Sequence, residues 1–227
     1  MILKTVTGAI VAGAAAGLFA GLLQLAFVQP VLLHAELYES GQLVHFGAET
    51  PAAMAVWPGI DPVRDGLSLL FSMLIYTGYG LLLTAAVMLA RGEEGWIGWR
   101  EGLVWGVCGF IAAHLAPAFS LPPEVPGAAY VDVGPRQAWW AATIAATAVA
   151  LWLLAFTRRP WAPALALVLI ATPHVIGAPQ PDSFEGPVPP ELAALFAARA
   201  LGTGLAAWSI LGAAVALVGR SHSAEGR

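Results

Sequence analysis

Long apolar blocks, each ended by a short polar or proline-rich stretch, make up most of this chain. A membrane-crossing helix needs about 20 apolar residues to traverse roughly 30 Å of hydrocarbon. The blocks that fit this pattern are residues 5–29, 66–90, 102–119, 137–157, 161–177 and 192–219. The third and fifth are short and carry prolines, Pro117 in one, Pro163 and Pro173 in the other. A count of five spans would drop the fifth block. Six are kept, because the RRP turn at 158–160 is too short to leave two apolar segments on one side unless the fifth is re-entrant. The expected fold is therefore an all-α integral membrane protein, a polytopic bundle of about six transmembrane helices. All of 1–227 forms one membrane domain, closed by a polar tail at 220–227.

Composition supports this. Of 227 residues, 59% are hydrophobic and 11% charged, against about 25% charged in a soluble domain. The amino-terminal block resembles a secretory leader, but it is longer than a leader's apolar core and is read as a retained first span. The sole lysine is Lys4, which excludes a phosphate-loop lysine within the chain. The single cysteine, Cys108, rules out an intrachain disulfide. No HExxH, GxSxG or nucleotide motif is present, so an enzyme is not expected, and nothing points to nucleic acid.

Charge is distributed unevenly. Alternating the six spans puts Lys4, Arg91, Arg100, Arg158, Arg159, Arg220 and Arg227 on one side and only Arg64 and Arg136 on the other. The positive-inside rule then makes both termini cytoplasmic and indicates a multi-pass protein of the bacterial inner membrane. The outer side holds ten acids, Glu36, Glu39, Glu49, Asp61, Asp65, Glu124, Asp132, Asp182, Glu185 and Glu191. Such a surface concentrates cations and repels anions, although topology alone also produces asymmetry of this kind.

Small residues form stripes. Gly13, Gly17 and Gly21 repeat every four residues in the first span, with Ala12, Ala16 and Ala20 beside them, and Gly204, Gly212 and Ala216 form a looser stripe in the last. Such spacing lets another helix backbone come close, within the chain or on a partner.

The polar chemistry gathers on the acidic side. His34, His45, His114 and His174 all fall there, and His222 lies in the tail. Pro117 lacks an N–H and frees the carbonyl of Ala113 next to His114, while Pro173 directly precedes His174. Freed carbonyls persist in a membrane only when buried in protein or lining a wet cavity. Imidazole nitrogens beside carbonyls and carboxylates form a mixed ligand set that suits Co, Ni or Zn better than Mg or Ca. Glu124 follows a stiff Pro122–Pro123 turn that can fold it over the end of the span. In QPVLLHAELYE (29–39), His34 and Tyr38 share a helix face, whereas Glu36 points elsewhere. The candidate metal ligands are His114, His174, Glu124, Glu36 and His34. Arg199 lies eight residues into the last block and opposes a cation site. It either snorkels to the headgroups or pairs with an outer carboxylate such as Glu124.

Three stretches, FVQPVLLHAELYE (27–39), HLAPAFSLPPEVPG (114–127) and TPHVIGAPQP (172–181), resemble the CbtA family of predicted cobalt transporter subunits. His114, Glu124, His174, Gln29, Pro30 and Glu36 occupy the family's characteristic positions. The resemblance implies uptake of Co²⁺, often beside a small single-span partner, CbtB, that bears a histidine-rich motif. It also implies five spans rather than six.

The leading expectation is a divalent transition-metal permease, with cobalt as the transported ion and no tightly bound cofactor. Membrane lipid, the ion and a CbtB-like subunit are its expected partners, within a homo- or hetero-oligomer. Two alternatives remain open. One is a haem-binding membrane subunit, since two histidines on separate spans suit bis-imidazole ligation. The other is a non-catalytic interaction subunit that docks through the glycine stripe.

Overall fold

The computed structural model describes residues 2–44, 59–92, 96–129, 131–183 and 185–224. Its elements are α1 (Ile2–Leu23), a π-helical turn (Gln24–Val28), α2 (Gln29–Glu39), α3 (Pro62–Arg91), α4 (Trp99–Phe110), a second π-helical turn (Ile111–Leu115), α5 (Ala116–Ser120), α6 (Val133–Phe156), α7 (Ala162–Ile176) and α8 (Pro190–Ala224). The described residues contain no strand. Five stretches, Leu3–Glu39, Pro62–Arg91, Trp99–Ser120, Val133–Phe156 and Pro190–Gly219, are long and apolar enough to cross a membrane. The protein is a multi-pass, all-α membrane protein.

The helices differ from the expected blocks in two ways. Helix α7 has 15 residues, about 22 Å at 1.5 Å per residue, which falls short of the hydrocarbon thickness. The first block does not stop near residue 29. It continues through a π turn into α2, so QPVLLHAELYE is helical. The last helix likewise runs past 219 into the polar tail, and it is continuous from Pro190 through Arg199.

Both π turns end two residues before a proline, Pro30 in one case and Pro117 in the other. A proline inside a helix donates no hydrogen bond, and its ring crowds the carbonyl one turn back. A π turn inserts one extra residue per turn and so lets the helix continue past the proline.

The chain forms two compact units, Met1–Leu23 with Asp61–Ile111 and Thr203–Arg227, and Gln24–Ile60 with Ala112–Gly202. In the first, α1 and α3 pack antiparallel through the glycine stripe. A Cβ on Gly13 would lie 2.5 Å from the Thr77 Cα, one on Gly17 2.5 Å from the Met73 Cα, and one on Gly21 2.8 Å from the Leu69 side chain. The stripe is thus used within the chain. Ala12, Ala16 and Ala20 are buried along the same helix. Helices α4 and α8 meet in the same manner, with Gly102 and Gly106 against Gly212 and Trp208. Trp96 Nε1 donates to the Val215 carbonyl (3.1 Å) and ties the segment before α4 to α8. Leu67, Leu70, Phe71, Leu74, Leu82 and Leu89 of α3 are exposed, as a lipid-facing surface requires.

In the second unit α6 packs on α7. A separate apolar cluster joins Val28, Val31 and Ala35 to Val125 and Phe196. Val125 belongs to the proline-rich loop after α5, so that loop is anchored to α2 and to the start of α8.

Candidate functional site

His114 lies inside the second π turn. It lines a cavity of about 480 Å³ with Pro117, Leu121, Pro122 and Pro123 on its own side and Val133, Arg136, Gln137 and Trp140 of α6 opposite. The ring is half-buried and its Nε2 atom is fully covered. Sequence explains this placement. Pro117 forces the π turn, and residues 114, 117, 118 and 121 then fall on one wall. The two prolines that follow close that wall with stiff backbone.

Glu124 does not stand free. Arg136, in the first turn of α6, donates Nη1 to its carboxylate in an ion pair, with both side chains about a third exposed or less. The same arginine lines the cavity, so Glu124 meets the cavity through Arg136. Arg199 directs its Nη1 to the Phe27 carbonyl, within the first π turn, at 3.0 Å rather than to a carboxylate.

His174 has different surroundings. Its Nδ1 lies 2.8 Å from Ser120 Oγ, a hydrogen bond in either ring tautomer. Phe119 and Trp139 pack edge-on against the ring, with centroids 5.3 and 5.8 Å away. Trp139 Nε1 in turn donates to the Pro173 carbonyl at 3.0 Å. The Pro173 carbonyl beside His174 therefore accepts from an indole as well as from the Gly177 N–H. His174 does not line the cavity that holds His114. Two neighbouring positions of α6 divide the histidines, Trp139 facing His174 and Trp140 facing the His114 cavity.

On α2, His34 and Tyr38 share a face as expected, with ring centroids 5.6 Å apart, and Nε2 of His34 is buried without a hydrogen-bond partner among the described residues. Glu36 is exposed on the other side of the helix. His45, Glu49 and Met54 lie outside the described residues. Among the described residues, no three His, Cys, Asp or Glu side chains come together closely enough to hold a metal ion.

Sequence reasoning did not find Arg136, Gln137, Trp140 or Ser120. One signal was present for Arg136, which the expected alternation of six spans makes one of only two bases on a side with ten acids. Ser120 and His174 are 54 positions apart, and no local pattern connects them.

What the arrangement offers is one imidazole on the wall of a cavity, with an arginine on the same cavity paired to a carboxylate. No curated protein and no solved structure matches the chain. A family model described as probable cobalt transporter subunit (CbtA) matches residues 2–219, nearly the full length, and the chain therefore belongs to the CbtA family.

Proposed function

We propose that the protein is the permease subunit of a cobalt uptake system in the bacterial inner membrane. It works in the lipid bilayer beside a small single-span, CbtB-like subunit. The observation that carries this reading is the placement of His114, on a π turn, against a cavity large enough for a partly hydrated ion. Imidazole is a good ligand for Co²⁺ and a poor one for Mg²⁺ or Ca²⁺. A permeation site must also release its ion, and one histidine with carbonyls and water binds more weakly than a closed cage of three or four side chains.

Within this scheme the exposed Glu36 belongs to the acidic surface that gathers cations, and His34 lies next along α2. His114 accepts the ion in the cavity, and Glu124 joins it when released from Arg136. His174, held by Ser120 between two aromatic rings, fixes α7 against α5 and α6. The test is accumulation of radioactive cobalt in cells expressing the protein with its partner. His114→Ala is expected to abolish the added uptake, and His174→Ala to reduce it in parallel with the amount of folded protein. Uptake by His114→Ala equal to wild type would overturn the proposal.

A further inference from the structure

A cation permease whose cavity presents a guanidinium poses a problem of charge. Arg136 lines the same space as His114 and opposes entry of any positive ion. Its carboxylate partner, Glu124, is the acid an incoming metal would need, and Arg136 occupies it. We propose that Arg136 is a specificity-determining gate, a built-in cation that a metal must displace from Glu124 before the His114 cavity accepts it. This deepens the cobalt-permease reading and rests on it.

The discrimination follows from charge. At rest the Glu124–Arg136 pair is neutral, and the carboxylate is already satisfied by a hydrogen-bonded monovalent cation. A sodium or potassium ion carries no more charge than the guanidinium and forms no bond to imidazole, so it does not compete. A divalent transition metal carries twice the charge and gains His114 as a nitrogen ligand at the same time. Displacement therefore needs both properties, and only ions that have both are admitted.

The structure leaves the gate room to move. The Arg136 side chain is 31% exposed, so the released guanidinium can swing into water instead of being stranded in an apolar wall. Glu124 sits on a loop, but that loop is pinned nearby through buried Val125, and Pro122 and Pro123 stiffen the cavity wall just before it. Opening the pair therefore moves the arginine and leaves the carboxylate in place. Arginine suits this role because its planar fork orients on a carboxylate. A lysine would hold the same charge with less directional grip.

The test is Co²⁺ binding to the purified protein by titration calorimetry, at low and high sodium chloride, with wild type, Arg136→Gln, Arg136→Lys and the double variant Glu124→Gln/Arg136→Gln. The gate predicts that Arg136→Gln tightens Co²⁺ binding about tenfold and makes it more sensitive to sodium. Arg136→Lys falls between the two, and the double variant loses the gain. If Arg136→Gln does not fold, Arg136→Lys still has to bind more tightly than wild type. Unchanged or weaker binding in the folded arginine variants overturns the gate, as does absence of binding in all proteins. Because binding is read without transport, tighter binding by Arg136→Gln in a protein that moves no cobalt would support the gate while removing the permease reading.

Discussion

Gly17 offers a direct test of the packing that holds the first unit together. In Gly17→Ala the new methyl would lie 2.5 Å from the Met73 Cα and 2.6 Å from the Ser72 carbonyl oxygen. Carbon atoms rest about 3.5–4.0 Å apart, so α1 and α3 must part by roughly 1.0–1.5 Å at that point. Both obstructing atoms are backbone and cannot rotate away, which places the cost near the upper end of the usual 1–3 kcal/mol for overpacking, about 3 kcal/mol. Replacing a helical glycine by alanine returns about 1 kcal/mol, for a net loss of about 2 kcal/mol. Gly78→Ala is the control. A Cβ there meets nothing within 4 Å, so only the propensity gain of about 1 kcal/mol remains. Unfolding of the purified variants by sodium dodecyl sulfate in mixed micelles should separate them by about 3 kcal/mol, with wild type between. Equal stabilities for the two variants, or a Gly17→Ala protein more stable than wild type, would show that the glycine stripe does not bring these backbones together.

Other substitutions test the second unit by the same unfolding measurement. Thr143 and Thr147 are both buried on α6, but Thr143 donates to the Trp139 carbonyl at 2.9 Å whereas the Thr147 hydroxyl has no hydrogen-bond partner among the described residues. Thr147→Val should stabilise by about 1 kcal/mol and Thr143→Val destabilise by about as much; equal changes would contradict this assignment. Trp139→Phe keeps a ring beside His174 and removes the indole donor from the Pro173 carbonyl, which still accepts from the Gly177 N–H at 3.1 Å, and should cost about 1 kcal/mol. Arg199→Gln removes the bond to the Phe27 carbonyl and should cost about 1 kcal/mol. A protein of unchanged stability would mean that this bond does not brace the first π turn.

Much of the fold was legible because a bilayer restricts the choices. With no water to satisfy backbone groups, a long apolar run must be a helix, and the blocks map onto the helices with shifts at their ends. The ends moved because hydropathy records where lipid stops, whereas helices stop where the ladder stops. Thus α2 continues through QPVLLHAELYE, and α8 continues past residue 219. Pro30 and Pro117 announced irregular backbone, and the π turns lie there. The glycine stripes announced close packing, and the structure supplies the partners, α3 for α1 and α4 for α8.

The candidate site was legible only in part. His114 could be singled out from its neighbouring proline, but its cavity is built with α6, and nothing near residue 114 indicates which face of α6 arrives. Glu124 looked available because its partner lies 12 residues further on, across a loop whose path the sequence does not reveal. The two membrane histidines shared depth, polarity and a nearby proline. Depth along a helix does not fix the direction of a ring about its axis, and Ser120 with Trp139 gives His174 surroundings of its own.

The most direct test of the account is X-ray absorption at the cobalt K-edge of the purified, Co²⁺-loaded protein, comparing wild type with His114→Ala. The account predicts the multiple-scattering signature of imidazole in the wild-type shell and its loss in the variant. An all-oxygen shell in wild type, or an imidazole signal that survives in His114→Ala, would contradict the claim that His114 meets the ion.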